Sequence, residues 1–184
     1  MRKMIGLCST LVLAIAVIAS SGLGRQTDKS KRPSPQETAQ CSMSGGKTIT
    51  TVYSSPRMKG RKIFAPDGLV PFGKVWRAGA NEATTFATTA DLTVEGKDVP
   101  AGSYTLFVVP NADKWTLIIN KKTGEWGIPY KYQSDELARV DMQVSKLPSP
   151  VEDFTISYEQ SRGGYTLNME WETTRASVTF HEKM

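Results

Sequence analysis

Seven consecutive positions, Trp76-Arg77-Ala78-Gly79-Ala80-Asn81-Glu82, gather most of the groups in this chain that could do chemistry together. An indole, a guanidinium, an amide and a carboxylate stand around small residues. Such a set suits a polar ligand held against an apolar wall, with Trp76 as a stacking platform and Arg77, Asn81 and Glu82 as donors and acceptors. It equally suits a structural role. Trp76 would then plug one end of the fold, Arg77 would pair with Glu82, Gly79 and Ala80 would allow a tight backbone crossing, and Asn81 would cap the turn.

A second block, Arg57-Met58-Lys59-Gly60-Arg61-Lys62, lies upstream. Arg57 and Arg61 could grip a phosphate or carboxylate through the two-pronged geometry of guanidinium. The alternative is a solvated edge whose charges discourage strand-to-strand aggregation. If Arg57 or Arg61 turns toward Glu82, the two blocks form one network. Downstream, Trp126, Tyr130 and Tyr132 could stack on sugar rings or cover one end of the domain.

Catalytic constellations are scarce. The single histidine, His181, sits near the C-terminus, and a Ser-His-Asp site would have to use it. No His/Cys cluster suits zinc, and no phosphate loop or dinucleotide fingerprint is present. No metal, cofactor or catalytic residue is therefore expected. One enzymatic route stays open, a hydrolase in which Glu82 works with a second acid.

The surrounding elements are strands. Thr48 to Tyr53, Thr84 to Thr89, Asp91 to Val94, Ser103 to Val109 and Trp115 to Asn120 are short runs rich in β-branched and aromatic residues, separated by Gly and Pro turns. Ser103 to Val109 is apolar on both faces and reads as a central strand. Arg139 to Val144, Phe154 to Glu159, Tyr165 to Trp171 and Ser177 to Phe180 each alternate apolar with polar, which predicts four more strands in a sheet with one wet face. The expected fold is all-β, a single antiparallel β-sandwich, with jelly-roll-like and immunoglobulin-like orders both open.

The domain occupies 48–184. Before it, residues 1–21 have the layout of a secretory signal peptide: Arg2 and Lys3, an apolar run, then small residues. Residues 22–47 are poor in large apolar side chains and read as a disordered linker, with Cys41 as a linker thiol. An exported protein, periplasmic or extracellular, is expected, in contact with a membrane only if the leader is kept. The net charge of +5 arises upstream of the domain, because from Thr48 onward 16 Lys and Arg balance 16 Asp and Glu. A nucleic-acid partner is excluded on that ground, since such domains carry a basic footprint in their folded part.

Several runs together resemble a bacterial family known as domain of unknown function 2911. They are Tyr53 to Phe64, Leu69 to Thr85 with its Trp76-Arg77-Ala78-Gly79-Ala80-Asn81-Glu82-Ala83-Thr84 core, Val99 to Phe107, Trp115 to Lys121 and Trp126-Gly127. The likeness spans roughly Ile49 to Phe180. It implies an exported β-rich domain and no particular activity. The function expected is non-catalytic binding of a small polar or carbohydrate-like ligand, or of an envelope partner, through Arg57, Arg61, Trp76, Arg77, Asn81 and Glu82. The alternatives are the Glu82 hydrolase and a purely structural envelope domain.

Overall fold

A computed structural model describes residues 28–161 and 163–183; the expected leader lies outside the described residues. The strands are β1 (Gln36–Ser42), β2 (Thr48–Ser54), β3 (Phe64–Ala65), β4 (Val70–Pro71), β5 (Thr84–Thr88), β6 (Leu92–Val94), β7 (Lys97–Val99), β8 (Gly102–Val109), β9 (Lys114–Asn120), β10 (Glu136–Ser161) and β11 (Gly164–Glu182). Nine of them form one antiparallel sheet in the order β1-β2-β5-β8-β9-β10-β11-β6-β7, and β3 and β4 make a small parallel pair. The all-β, antiparallel expectation holds. No helix among the described residues is long and apolar enough to cross a membrane.

The sheet bends over itself because its two longest strands bend. Four C-terminal strands were expected, and two are found. Arg139–Val144 and Phe154–Glu159 belong to the single strand β10, interrupted by register shifts between Lys146 and Thr155, where Pro148 and Pro150 cannot donate to the ladder. Tyr165–Trp171 and Ser177–Phe180 likewise belong to β11, which passes a left-handed residue at Glu172, φ 54°. Past its bend β10 crosses over the N-terminal strands. Ile156 N–H donates to the Tyr53 hydroxyl (3.1 Å), and the Thr51 and Tyr158 hydroxyls meet at 2.6 Å.

The region read as a disordered linker is ordered from Asp28. Gln36–Ser42 pairs along its whole length with β2, and Ala39 and Cys41 are buried against the core. Cys41 is thus a core thiol, and burial pushes its pKa up. The strand escapes a search for large apolar residues because only two small side chains face inward, and an edge strand draws stability from ladder hydrogen bonds.

The core that supports the candidate site is aromatic. Trp171 stacks near Trp76 at 5.9 Å between ring centroids, and Phe154 meets Trp76 edge-on at 4.9 Å. Phe64 packs against Trp115 at 4.7 Å and Trp76 at 6.0 Å. Offset and edge-to-face pairs of this kind add about 0.5–1.5 kcal/mol each beyond area burial. On the other face of β8 and β9, the loop after Asn120 folds back so that Tyr130 and Tyr132 cover Phe107 at 4.8 and 6.0 Å. Two of the three loop aromatics therefore cover the sheet. Gly127 in this loop has φ 92°, and a Cβ there would stand 2.8 Å from the Ala83 methyl.

Candidate functional site

The run 76–82 is a tight crossover between the small β3–β4 pair and β5. Trp76 opens it by exchanging both backbone hydrogen bonds with Val108 at 2.8 Å, which fixes the run against the central strand. The indole Nε1–H then donates to the Gly79 carbonyl at 3.0 Å. Ala78 and Asn81 both take left-handed backbone, φ 51° and 56°. Asn81 tolerates this conformation; buried Ala78 does so at a cost of about 1–2 kcal/mol. The surroundings hold Ala78 in place, since its carbonyl accepts from the Thr84 hydroxyl at 2.7 Å. Gly79 passes so close to β2 that a Cβ would lie 2.9 Å from the Ser54 carbonyl oxygen.

Arg77 and Glu82 do not pair. The Arg77 guanidinium donates through Nη1 to the carbonyls of Asn81 and Trp126, the latter at 3.0 Å, and its Cζ lies 5.0 Å from the centre of the Trp126 ring. Burial lowers the Arg77 pKa, and Glu82, acting through space, partly offsets this. Glu82 is bound instead by the segment read as linker. Arg32 donates to both its oxygens at 3.0 and 2.8 Å, and Lys29 lies 3.2 Å away. Burial is the strongest single influence on the Glu82 carboxyl and pushes its pKa up. Its own backbone N–H, Arg32 and Lys29 together outweigh this and hold the pKa at about 2. Asn81 also serves this segment, donating to the Ser34 carbonyl at 3.2 Å.

Neither arginine of the upstream block turns to Glu82. Arg57 pairs with Asp153 at 3.0 Å and donates to the Ser55 hydroxyl at 2.7 Å, stitching the loop to the bend of β10. Arg61 donates to the carbonyls of Met58 and Arg57. The single network joining the two blocks is absent, because each block finds nearer acceptors.

A cleft of about 420 Å³ opens between the run 76–80 and the β3–β4 pair. Trp76, Trp171, Val70 and Val75 contribute apolar lining, Leu69 and Ile128 are exposed lining residues, and Arg61, Lys74 and Arg77 are its cations. Of the six candidates, Arg61, Trp76 and Arg77 are thus brought together. Arg57, Asn81 and Glu82 are not among the lining residues. Glu82 lines a separate cleft of about 240 Å³ with Glu125 and Lys29. Lys74, which belongs to the same stretch as Trp76 and Arg77, and Trp171, which is far away along the chain, were not among the sequence candidates. Among the described residues no three His, Cys, Asp or Glu side chains gather as metal ligands.

No curated protein and no solved structure matches the chain. A family model matches residues 34–180, which take in β1, the crossover, the cleft and nearly all of β11, so the chain belongs to the family described as Protein of unknown function (DUF2911).

Proposed function

We propose that this protein is an exported domain that binds a small polar ligand, without catalysis, in the cleft beside Trp76 and Arg77. The observation that carries this reading is the cleft itself. Its volume of about 420 Å³ lies in the range of small-molecule sites, and its aromatic and aliphatic lining holds a few cationic groups. Export rests on the leader-like residues 1–21, and the periplasm or the extracellular space is the proposed location.

Two rival readings have less support. A purely structural role gave Arg77 to Glu82, yet each has other partners and a cleft adjoins Arg77. The hydrolase reading is favoured by Glu125, which shares the smaller cleft with Glu82. A carboxyl held at about 2 could not be the proton donor of such a pair, only its base or nucleophile. Glu82 is also neutralised by Arg32 and Lys29.

The test is a thermal-shift screen of the protein against sugars, nucleotides, peptidoglycan fragments and small organic acids. A ligand that binds only the folded state raises the melting temperature by mass action. A shift lost in Arg77→Gln, with the unliganded melting temperature little changed, supports the reading. The absence of a shift with every class opposes it.

A further inference from the structure

The chemistry of the cleft narrows its ligand, on the reading that the cleft is a binding site. Three cationic side chains, Arg61, Lys74 and Arg77, line it, and among the described residues no carboxylate does. The domain as a whole is charge-balanced, so this imbalance is local. The nearby acids are engaged elsewhere: Glu82 with Arg32, Asp153 with Arg57, and Asp67 with Lys62. Each lining cation also keeps unused donors. Arg77 spends Nη1 on two carbonyls, which leaves Nε and Nη2 with no acceptor among the described residues. Arg61 spends Nε and Nη2, leaving Nη1. Lys74 is exposed and makes no ion pair with any described residue. A half-buried guanidinium held by neutral carbonyls is desolvated without being neutralised, and an incoming anion supplies the missing charge.

The apolar side of the cleft is equally lopsided. The exposed large hydrophobic residues of the described structure are Leu69, Trp126 and Ile128, at 48, 56 and 38 % exposure. Leu69 and Ile128 line this cleft, and Trp126 lies against Arg77. Water-facing apolar side chains gathered beside unneutralised cations match a molecule with one charged end and one greasy end.

We infer that the cleft takes a small organic anion, a carboxylate or phosphate ester carried on a compact apolar body, with Arg61, Lys74 and Arg77 around the charge and Val70, Trp76 and Ile128 against the body. A bare inorganic anion leaves the apolar lining uncovered, and a neutral sugar leaves the cations unmet.

Calorimetry on the purified full-length protein tests this with phenyl phosphate, octanoate, their neutral counterparts benzyl alcohol and octanol, inorganic phosphate, and phosphatidylglycerol vesicles. We expect phenyl phosphate or octanoate to bind, more weakly as salt rises. The neutral counterparts and inorganic phosphate should bind far more weakly. Lys74→Gln, at an exposed position with no side-chain partner among the described residues, should weaken binding about tenfold, as loss of one charged contact does. Lys114→Gln, whose lysine pairs with Asp141 away from this cleft, should leave it unchanged. If benzyl alcohol binds as tightly as phenyl phosphate, the cleft remains a binding site but the anion inference fails. If no soluble probe binds, the anion inference fails, and the site reading fails with it only if the thermal-shift screen is also silent for every class. Binding to vesicles alone overturns the inference in favour of a lipid surface.

Discussion

Arg32 grips Glu82 with both oxygens engaged, at 3.0 and 2.8 Å, across 50 positions of sequence. This contact fastens the segment before β1 onto the crossover that borders the cleft. The same segment adds Lys29 on Glu82 and the Ser34 carbonyl on Asn81. The carboxylate that looked like a catalytic or ligand-binding group is the anchor point of a strap.

That anchor should be visible in the pH dependence of stability. The folded-state pKa of Glu82, about 2, lies below the ordinary value of about 4.3. Its contribution is therefore complete above about pH 4.3 and is lost as pH falls through about 2. The side chain is over a third exposed, so solvent screening limits the effect to the order of 1 kcal/mol. Glu82→Gln should melt earlier than the parent at neutral pH, and the gap should close on acidification. Melting curves of both proteins from neutral pH to about pH 2 check this; a gap that is constant with pH counts against the anchor.

Gly79 should resist even the smallest substitution. A methyl group at this position meets the Ser54 carbonyl at 2.9 Å and the Thr84 hydroxyl at 3.2 Å, and the former is backbone in a paired strand. Gly79→Ala should cost about 1–3 kcal/mol, the range for overpacking a tight site. Denaturant unfolding measures the loss. Gly60→Ala is the contrast: its added methyl meets nothing within 4 Å, so only the backbone strain of φ 68° remains.

Tyr130 should ionise late. Burial chiefly, and then its hydrogen bond to Glu136, raise its pKa to about 12. Burial also raises Tyr53, Tyr104, Tyr132 and Tyr158, so the check is the difference in ultraviolet titration between the parent and Tyr130→Phe, which should lack a late step near that pH. The same variant removes a contact to Glu136 and one from Asn120, so it should also lose about 1 kcal/mol of stability.

Cys41 should be silent toward thiol reagents in the folded state. It is 8 % exposed on β1, and burial raises its pKa, which depletes the reactive thiolate. An aromatic disulfide reagent should label it only when denaturant opens the β1–β2 pair. Rapid labelling without denaturant shows that β1 detaches readily.

The legible parts of this chain are those with strong local periodicity. Tyr104 to Val108 is apolar at almost every position, and β8 is buried on both faces at the centre of the sheet. The joining of Arg139–Val144 to Phe154–Glu159 was hidden because Pro148 and Pro150 read locally as an end, whereas here they mark a bend. At the site, Trp76 and Arg77 stood out by residue type. The partner of Glu82 did not, because Lys29 and Arg32 sit among polar residues with no periodicity, and an ion pair between distant segments leaves no local trace. In sequence Trp171 is one of the alternating apolar residues of a late strand, and its spacing gives no hint that it reaches a loop ninety-odd positions earlier.

Trp171 also sets when the cleft comes into being. It stacks beside Trp76 but belongs to β11, the last strand among the described residues. A polypeptide emerging N-terminus first displays the crossover, with its Trp76 and Arg77, long before the residue that backs them arrives. Trp171 arrives on the hairpin that β11 makes with β10, where Glu170 pairs with Thr155 and Glu172 with Val151, and that hairpin must still close over the crossover, a contact of long sequence separation that forms slowly. A chain truncated before β11 keeps every residue of the Trp76–Glu82 run and lacks the indole that backs the cleft.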